Sequence, residues 1–182
     1  PRSNTAIAAK YARAIAFYRE GNLAKAIIAL DHLITLEKEN PYFWELKGQI
    51  LLEKNEREMA RNAYEKAYSF SKDVIILQQL AKVELSLNTQ KSNNDALAYL
   101  EKAIRMTPGS STTWKQLAIA QGRNGKIALA KLSLAEEALL RKDFVRALKN
   151  ALFVKENLKQ DLFAHQRALD IINYVEQVLD RK

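Results

Sequence analysis

Helix-breaking residues are almost absent from this chain: its 182 residues include 5 Gly and 3 Pro. A β-sandwich or barrel needs a turn roughly every 8 to 12 residues, and this sequence cannot supply them. What remains is helix. Leu23, Ala26, Ile27, Leu30, Leu33 and Ile34 recur at i, i+3, i+4 and i+7, which paints one apolar stripe on a helical cylinder. Ala96, Leu97, Leu100, Ala103 and Ile104 repeat the pattern. The periodicity predicts ten helices, over 5–19, 23–37, 42–54, 57–70, 73–88, 93–106, 111–122, 126–141, 144–157 and 162–180. Short connections such as Gly21-Asn22, Ser71-Lys72 and Lys142-Asp143 force antiparallel neighbours. The longest polar interruption, Asn88 to Asp95, is expected to be the most mobile loop. Ser110, Ser111 and Thr112 are N-cap candidates for the helix that carries Trp114.

Composition removes most catalytic chemistry. With no cysteine there is no disulfide framework, thiolate zinc site or cysteine nucleophile. The two histidines, His32 and His165, are far apart, and neither sits in a His-Glu-x-x-His motif. Gly122-Arg123-Asn124-Gly125-Lys126 lacks the spacing and the Ser/Thr of a phosphate loop and reads as a helix-to-helix turn. Glu136 and Glu137 are adjacent, so they point about 100° apart on a helix and form no acid–base pair by themselves. No run approaches the roughly 20 apolar residues that span a bilayer. The net charge of +8 is concentrated in residues 111–182, with 13 basic and 8 acidic groups, yet acids interrupt it throughout. Solvated helix faces therefore account for it better than a phosphate-tracking surface.

A period emerges from the aromatic and small residues. Trp44 and Trp114 lie two units of 34 plus two residues apart. Ala60, Tyr64 and Ala67 have the spacing of Ala96, Leu100 and Ala103, and small residues at such positions let helices approach closely. Trp44, Gly48, Ala60, Tyr64 and Ala67 resemble one tetratricopeptide repeat. Ala81, Ala96, Leu100, Ala103 and Pro108 resemble a second, with an insertion near Asn93, and Trp114, Leu117, Ala118, Gly125 and Ala130 a third. A looser unit surrounds Phe17, Gly21, Ala26 and Leu30. The resemblance implies an all-α, tetratricopeptide-type helical-repeat superhelix of about ten antiparallel helices, forming one domain over 1–182 with four to five helix pairs. The apolar 127–140 segment is expected to be covered on both sides. The last helix is expected to cap the stack, with Arg167, Asp170, Glu176 and Arg181 pointing outward.

Three stretches, Asn40 to Leu51, Trp114 to Ala120 and Leu134 to Leu140, are similar to the helical-repeat tail of bacterial zinc metallopeptidases of the BepA-like class. This narrower resemblance implies a non-catalytic C-terminal part of a longer periplasmic peptidase. Its partners would be polypeptide segments, outer-membrane assembly proteins and its own peptidase domain, with no small-molecule substrate. Zinc and the catalytic motif would belong to that other domain, leaving no cofactor in this chain.

Repeat position then nominates a binding surface. Helices that open each pair line the trough of such arrays. The trough candidates are Tyr42, Glu45, Gln49 and Glu53, then Ile76, Gln79 and Val83, then Thr112, Lys115, Ile119 and Arg123. A polar surface with apolar islands suits an extended polypeptide. The Lys/Asn/Arg clamp by which some relatives hold a terminal carboxylate is replaced by Tyr11, Ile15 and Leu46. The alternative function is nucleic-acid binding through Lys126, Lys131, Arg141, Lys142 and Arg146.

Overall fold

The computed structural model describes residues 2–180, and all regular structure among them is helical. The chain divides into two compact units, Pro1–Leu87 and Asn88–Lys182. The first unit holds α1 (Arg2–Arg19), α2 (Leu23–Leu36), α3 (Pro41–Glu53), α4 (Arg57–Ser71) and α5 (Val74–Leu87). The second holds α6 (Gln90–Met106), α7 (Ser111–Arg123), α8 (Ile127–Leu140), α9 (Phe144–Asn157) and α10 (Leu162–Leu179). Within each unit consecutive helices pack on one another, and in the second α10 also reaches α8.

One turn chemistry recurs at the helix joints. After α1, α3, α7 and α8 a single residue adopts positive φ: Gly21, Asn55, Gly125 and Lys142. The next residue then donates its backbone N–H to a carbonyl five positions back, Asn22 to Phe17, Glu56 to Leu51, Lys126 to Gln121 and Asp143 to Ala138, at 2.8–2.9 Å. This 6→1 closure satisfies orphan carbonyls and reverses the chain in two residues. Asn22 and Asp143 then cap the following helices by accepting from the N–H groups of Lys25 and Arg146. Lys142 thus occupies the place of Gly21, so the α8–α9 joint is built like the turn within a helix pair. Helix α8 accordingly closes one pair and opens the next.

The two tryptophans are anchored identically. The Trp44 indole N–H donates to the Lys38 carbonyl at 2.7 Å, and that of Trp114 to the Pro108 carbonyl at 2.8 Å. Each side chain is half-buried and ties its helix to the loop that precedes it.

The unit cores are made of small residues at the crossings with larger ones between. Ala14, Ala26, Leu30, Leu33, Phe43 and Ile50 close the first core. Ala135, Ala138, Ala147, Ala151, Ala168 and Ile171 stand among those that close the second. Gly48 is the tightest contact: a Cβ there would lie 2.9 Å from Cδ2 of the buried Tyr64 ring. That is closer than carbon atoms tolerate, so α3 and α4 meet at this distance only with glycine.

Two expectations are corrected. The Asn88–Asp95 stretch is not a long loop, because α6 begins at Gln90. Thr89 and Ser92 form a capping box, with the Ser92 N–H donating to Thr89 Oγ1 at 3.1 Å and the Thr89 N–H to Ser92 Oγ at 2.8 Å. Serine in place of the usual Glu/Gln hid this signal. Arg167 does not point outward. Its Nε and Nη2 donate to both oxygens of Glu136 at 2.6 and 2.9 Å. Arg181 lies outside the described residues.

Helix α8 is covered on both sides, packing on α7 and α9. Its two buried carboxylates leave in different directions, Glu136 to Arg167 and Glu137 to Arg146 and Arg141. An almost wholly apolar helix thereby keeps two charges without leaving either unpaired.

Candidate functional site

In the first unit, Glu45, Gln49 and Glu53 stand at i, i+4 and i+8 on α3, which puts them in one row. They face Gln79, Lys82 and Ser86, a matching row at i, i+3 and i+7 on α5. Between the rows lies a recess of about 330 Å³, with Leu52 and Tyr64 also in its lining. Helix α1 adds Tyr18, whose hydroxyl donates to Glu53 and accepts from Gln49 Nε2 at 2.7 Å. The recess is thus lined by α3 and α5 with Tyr64 of α4 at its floor, and holds two carboxylates, two amides and a lysine, with the Tyr18 hydroxyl bonded to its rim. It offers acceptors and donors along an extended ligand but no nucleophile–base pair.

Its electrostatics follow from partial burial. Burial first, and then the nearby Asp73 carboxylate, raise the pKa of Glu45. Tyr18 is raised mainly by its hydrogen bond to Glu53. Tyr64 is pushed well above the ordinary phenol value, chiefly by burial and secondly by Glu45. Burial thus disfavours the charged forms of Glu45 and Tyr64, and Tyr18 is held as a neutral donor to Glu53.

A pH dependence follows from Glu45. Because its folded pKa lies above its unfolded one, the folded state binds the proton more tightly. The ionised form consequently costs stability above the folded pKa, and the cost disappears as pH falls to the ordinary carboxylate range. Glu45→Gln is expected to raise Tm at pH 7 and to leave it unchanged near pH 3, as thermal unfolding followed by circular dichroism would read. A lower Tm at pH 7 would contradict the assignment.

Of the residues expected to line a trough, Glu45, Gln49, Glu53 and Gln79 come together here. Tyr42 is 63% exposed on the same helix. Ile76 and Val83 are corrected: at 3% and 0% exposure they belong to the core and present nothing to a ligand. On α7 of the second unit, Thr112, Lys115, Ile119 and Arg123 form an exposed stripe, with Arg123 Nη1 donating to Asn93 Oδ1 at 3.4 Å. Sequence reasoning missed Lys82, Ser86 and Tyr18. Extending Gln79 by three and seven residues would have found the first two.

Other candidates fall into structural roles. Gly122 to Lys126 is a helix-to-helix turn with Gly125 at φ 73°. His32 Nε2 lies 3.2 Å from Lys10 Nζ. Among the described residues no group of three or more His, Asp or Glu could hold a metal ion. Two of the five cations named for nucleic acid, Arg141 and Arg146, are engaged by Glu137. No described helix is long and apolar enough to cross a membrane.

Comparison with known proteins agrees with this architecture. The tetratricopeptide repeat family model matches residues 41–73, the α3–α4 pair and its exit. Anaphase-promoting complex subunit 7 of Dictyostelium discoideum is 28% identical over 100 residues, which are 55% of this chain. The match spans only 17% of that much longer protein. Among solved structures, MamA residues 41-end from Desulfovibrio magneticus RS-1 superposes with a TM-score of 0.71 at 15% identity, covering 97% of this chain and 96% of that one. YrrB, described as a tetratricopeptide-repeat protein with an unusual peptide-binding site, gives 0.67 at 18% identity over 95% and 91% of the two chains. Residues 41–73 thus match the tetratricopeptide repeat itself, and the chain as a whole has the all-α fold of tetratricopeptide-repeat proteins.

Proposed function

We propose that this chain is a non-catalytic protein-interaction module that holds an extended polypeptide against its α3–α5 recess. The observation that carries the reading is the convergence of Glu45, Gln49, Glu53, Gln79 and Lys82 from two helices on one open recess, with Tyr18 bridging from a third. Polar groups at helical intervals can bond successive peptide groups, while the half-buried Leu52 accepts an apolar side chain. YrrB, a chain of similar fold described as having an unusual peptide-binding site, supports the same use. The carboxylates favour segments that carry lysine or arginine beside apolar residues.

A fluorescein-labelled, unstructured twelve-residue peptide alternating lysine and leucine tests this by anisotropy. Glu45→Gln combined with Glu53→Gln is expected to weaken binding roughly tenfold, about 1.4 kcal/mol for two partly solvated carboxylates. Unchanged affinity would reject the recess as the contact.

The finer setting we propose is the tail of a periplasmic zinc metallopeptidase that acts in envelope protein quality control or outer-membrane assembly. Its support is the likeness of residues 40–51, 114–120 and 134–140 to that class of repeat tail. A His-Glu-x-x-His motif in the same gene product, upstream of Pro1, is the expected finding. A gene product without one would remove this setting and leave the interaction module standing.

A further inference from the structure

A second concavity lies on another face of the first unit, between α1 and α2. Helix α1 contributes Lys10, Arg13 and Phe17; helix α2 contributes Lys25, Ile28, Ala29 and His32. Each residue has a counterpart 34 positions later in a concavity between α3 and α4. Lys10, Arg13 and Phe17 correspond to Trp44, Lys47 and Leu51. Lys25, Ile28, Ala29 and His32 correspond to Met59, Asn62, Ala63 and Lys66. All seven match, so the two concavities are the same structural position in successive repeats.

The two copies differ in what lines them. In the α3–α4 copy the indole of Trp44 forms part of the lining, held by its hydrogen bond to the Lys38 carbonyl, and the concavity measures about 220 Å³. In the α1–α2 copy the corresponding residue is Lys10, and the groove opens to about 320 Å³. Its apolar surface is left uncovered: Ile28 is 69% exposed. Charge differs as well. Lys47 is bound to Asp31 at 2.5 Å, whereas among the described residues Lys10, Arg13 and Lys25 form no ion pair with a carboxylate. Arg13 and Lys25 instead flank the Phe17 ring, 5.4 and 5.8 Å from its centroid. No lining residue is acidic.

We infer that the α1–α2 groove is a docking site for an acidic peptide segment carrying one large apolar anchor, whose side chain takes the place that Trp44 fills in the following repeat. The anchor packs on Phe17, Ile28 and Ala29, and flanking carboxylates meet Lys10, Arg13 and Lys25. This ligand is opposite in charge to the one the Glu45–Glu53 recess favours. The inference is therefore independent of that recess.

The test uses a fluorescein-labelled hexapeptide with a central tryptophan–leucine pair and two acidic residues on each side, titrated with the whole chain. Saturable binding is expected, weakened at least tenfold by Lys10→Trp, which fills the groove from within. The double variant Arg13→Glu, Lys25→Glu should lose at least as much. Replacing the central pair of the peptide by two serines should also cost tenfold or more, and Glu45→Gln with Glu53→Gln should change nothing. Equal binding by Lys10→Trp, equal binding of the serine peptide, or absence of saturation would each overturn the proposal. So would binding to phosphatidylserine vesicles without peptide binding, which would assign the groove to a lipid surface.

Discussion

Gly48→Val is expected to destabilise the first unit by about 3 kcal/mol, the upper end for overfilling a packed core. A Cβ at position 48 meets Cδ2, Cε2 and Cγ of Tyr64 at 2.9–3.0 Å, and Tyr64 is only 2% exposed, so the ring has little room to retreat. Gly48→Ala should cost less, since the roughly 1 kcal/mol gain in helix propensity offsets part of the clash. Adding Tyr64→Leu to Gly48→Val should recover part of the loss, because the smaller side chain vacates the position the new methyl groups need. Urea unfolding of the single and double variants checks this. A Gly48→Val protein as stable as the parent would show that α3 and α4 are not in contact at this point.

The second large effect lies in the other unit. Arg167→Met should destabilise by about 3 kcal/mol, the low end for breaking a buried pair, because the Arg167 side chain is itself 40% exposed. The loss comes from Glu136, whose carboxylate is left charged at 8% residue exposure with its bidentate partner gone. The hydrogen bond to Glu136 is also the main cause that raises the Arg167 pKa, so the guanidinium stays charged throughout the accessible pH range. Adding Glu136→Gln should restore much of the stability, since a neutral amide tolerates the site better. A double variant no better than Arg167→Met would show that the guanidinium acts by packing alone.

Much of the fold was legible because helix formation here is a local matter. The 3.6-residue stripe, the scarcity of Gly and Pro and the N-cap residue Ser110 are all short-range signals. The equivalence of Lys142-Asp143 with Gly21-Asn22 could be read from the sequence although Lys142 is not a glycine, because the residues that follow share one pattern. The start of α6 escaped because Thr89 and Ser92 make a capping box with an unusual partner, inside a stretch whose polarity resembles a loop.

The site was less legible, for a different reason. Repeat position selects a face of a helix, but the edge between that face and the core depends on how neighbouring helices cross. Gln79 and Val83 are four residues apart on α5, yet Gln79 lines the recess and Val83 is fully buried. The arginine at 167 misled because a charged residue on a final helix normally faces solvent, whereas Glu136, 31 residues earlier, draws it inward. Long-range pairing of this kind leaves no periodic trace. The equivalence of the Lys10 and Trp44 grooves, by contrast, follows from the 34-residue period once both grooves are seen.

Contact between an extended polypeptide and the α3–α5 recess can be read by covalent capture. Photo-crosslinking from a reactive side chain placed at Gln49 or Gln79, compared with the same group at the exposed positions Glu65 and Lys102, tests it most directly. With the lysine–leucine peptide as partner, adducts are expected from Gln49 and Gln79 and few from Glu65 or Lys102. Equal yields from all four positions would contradict it.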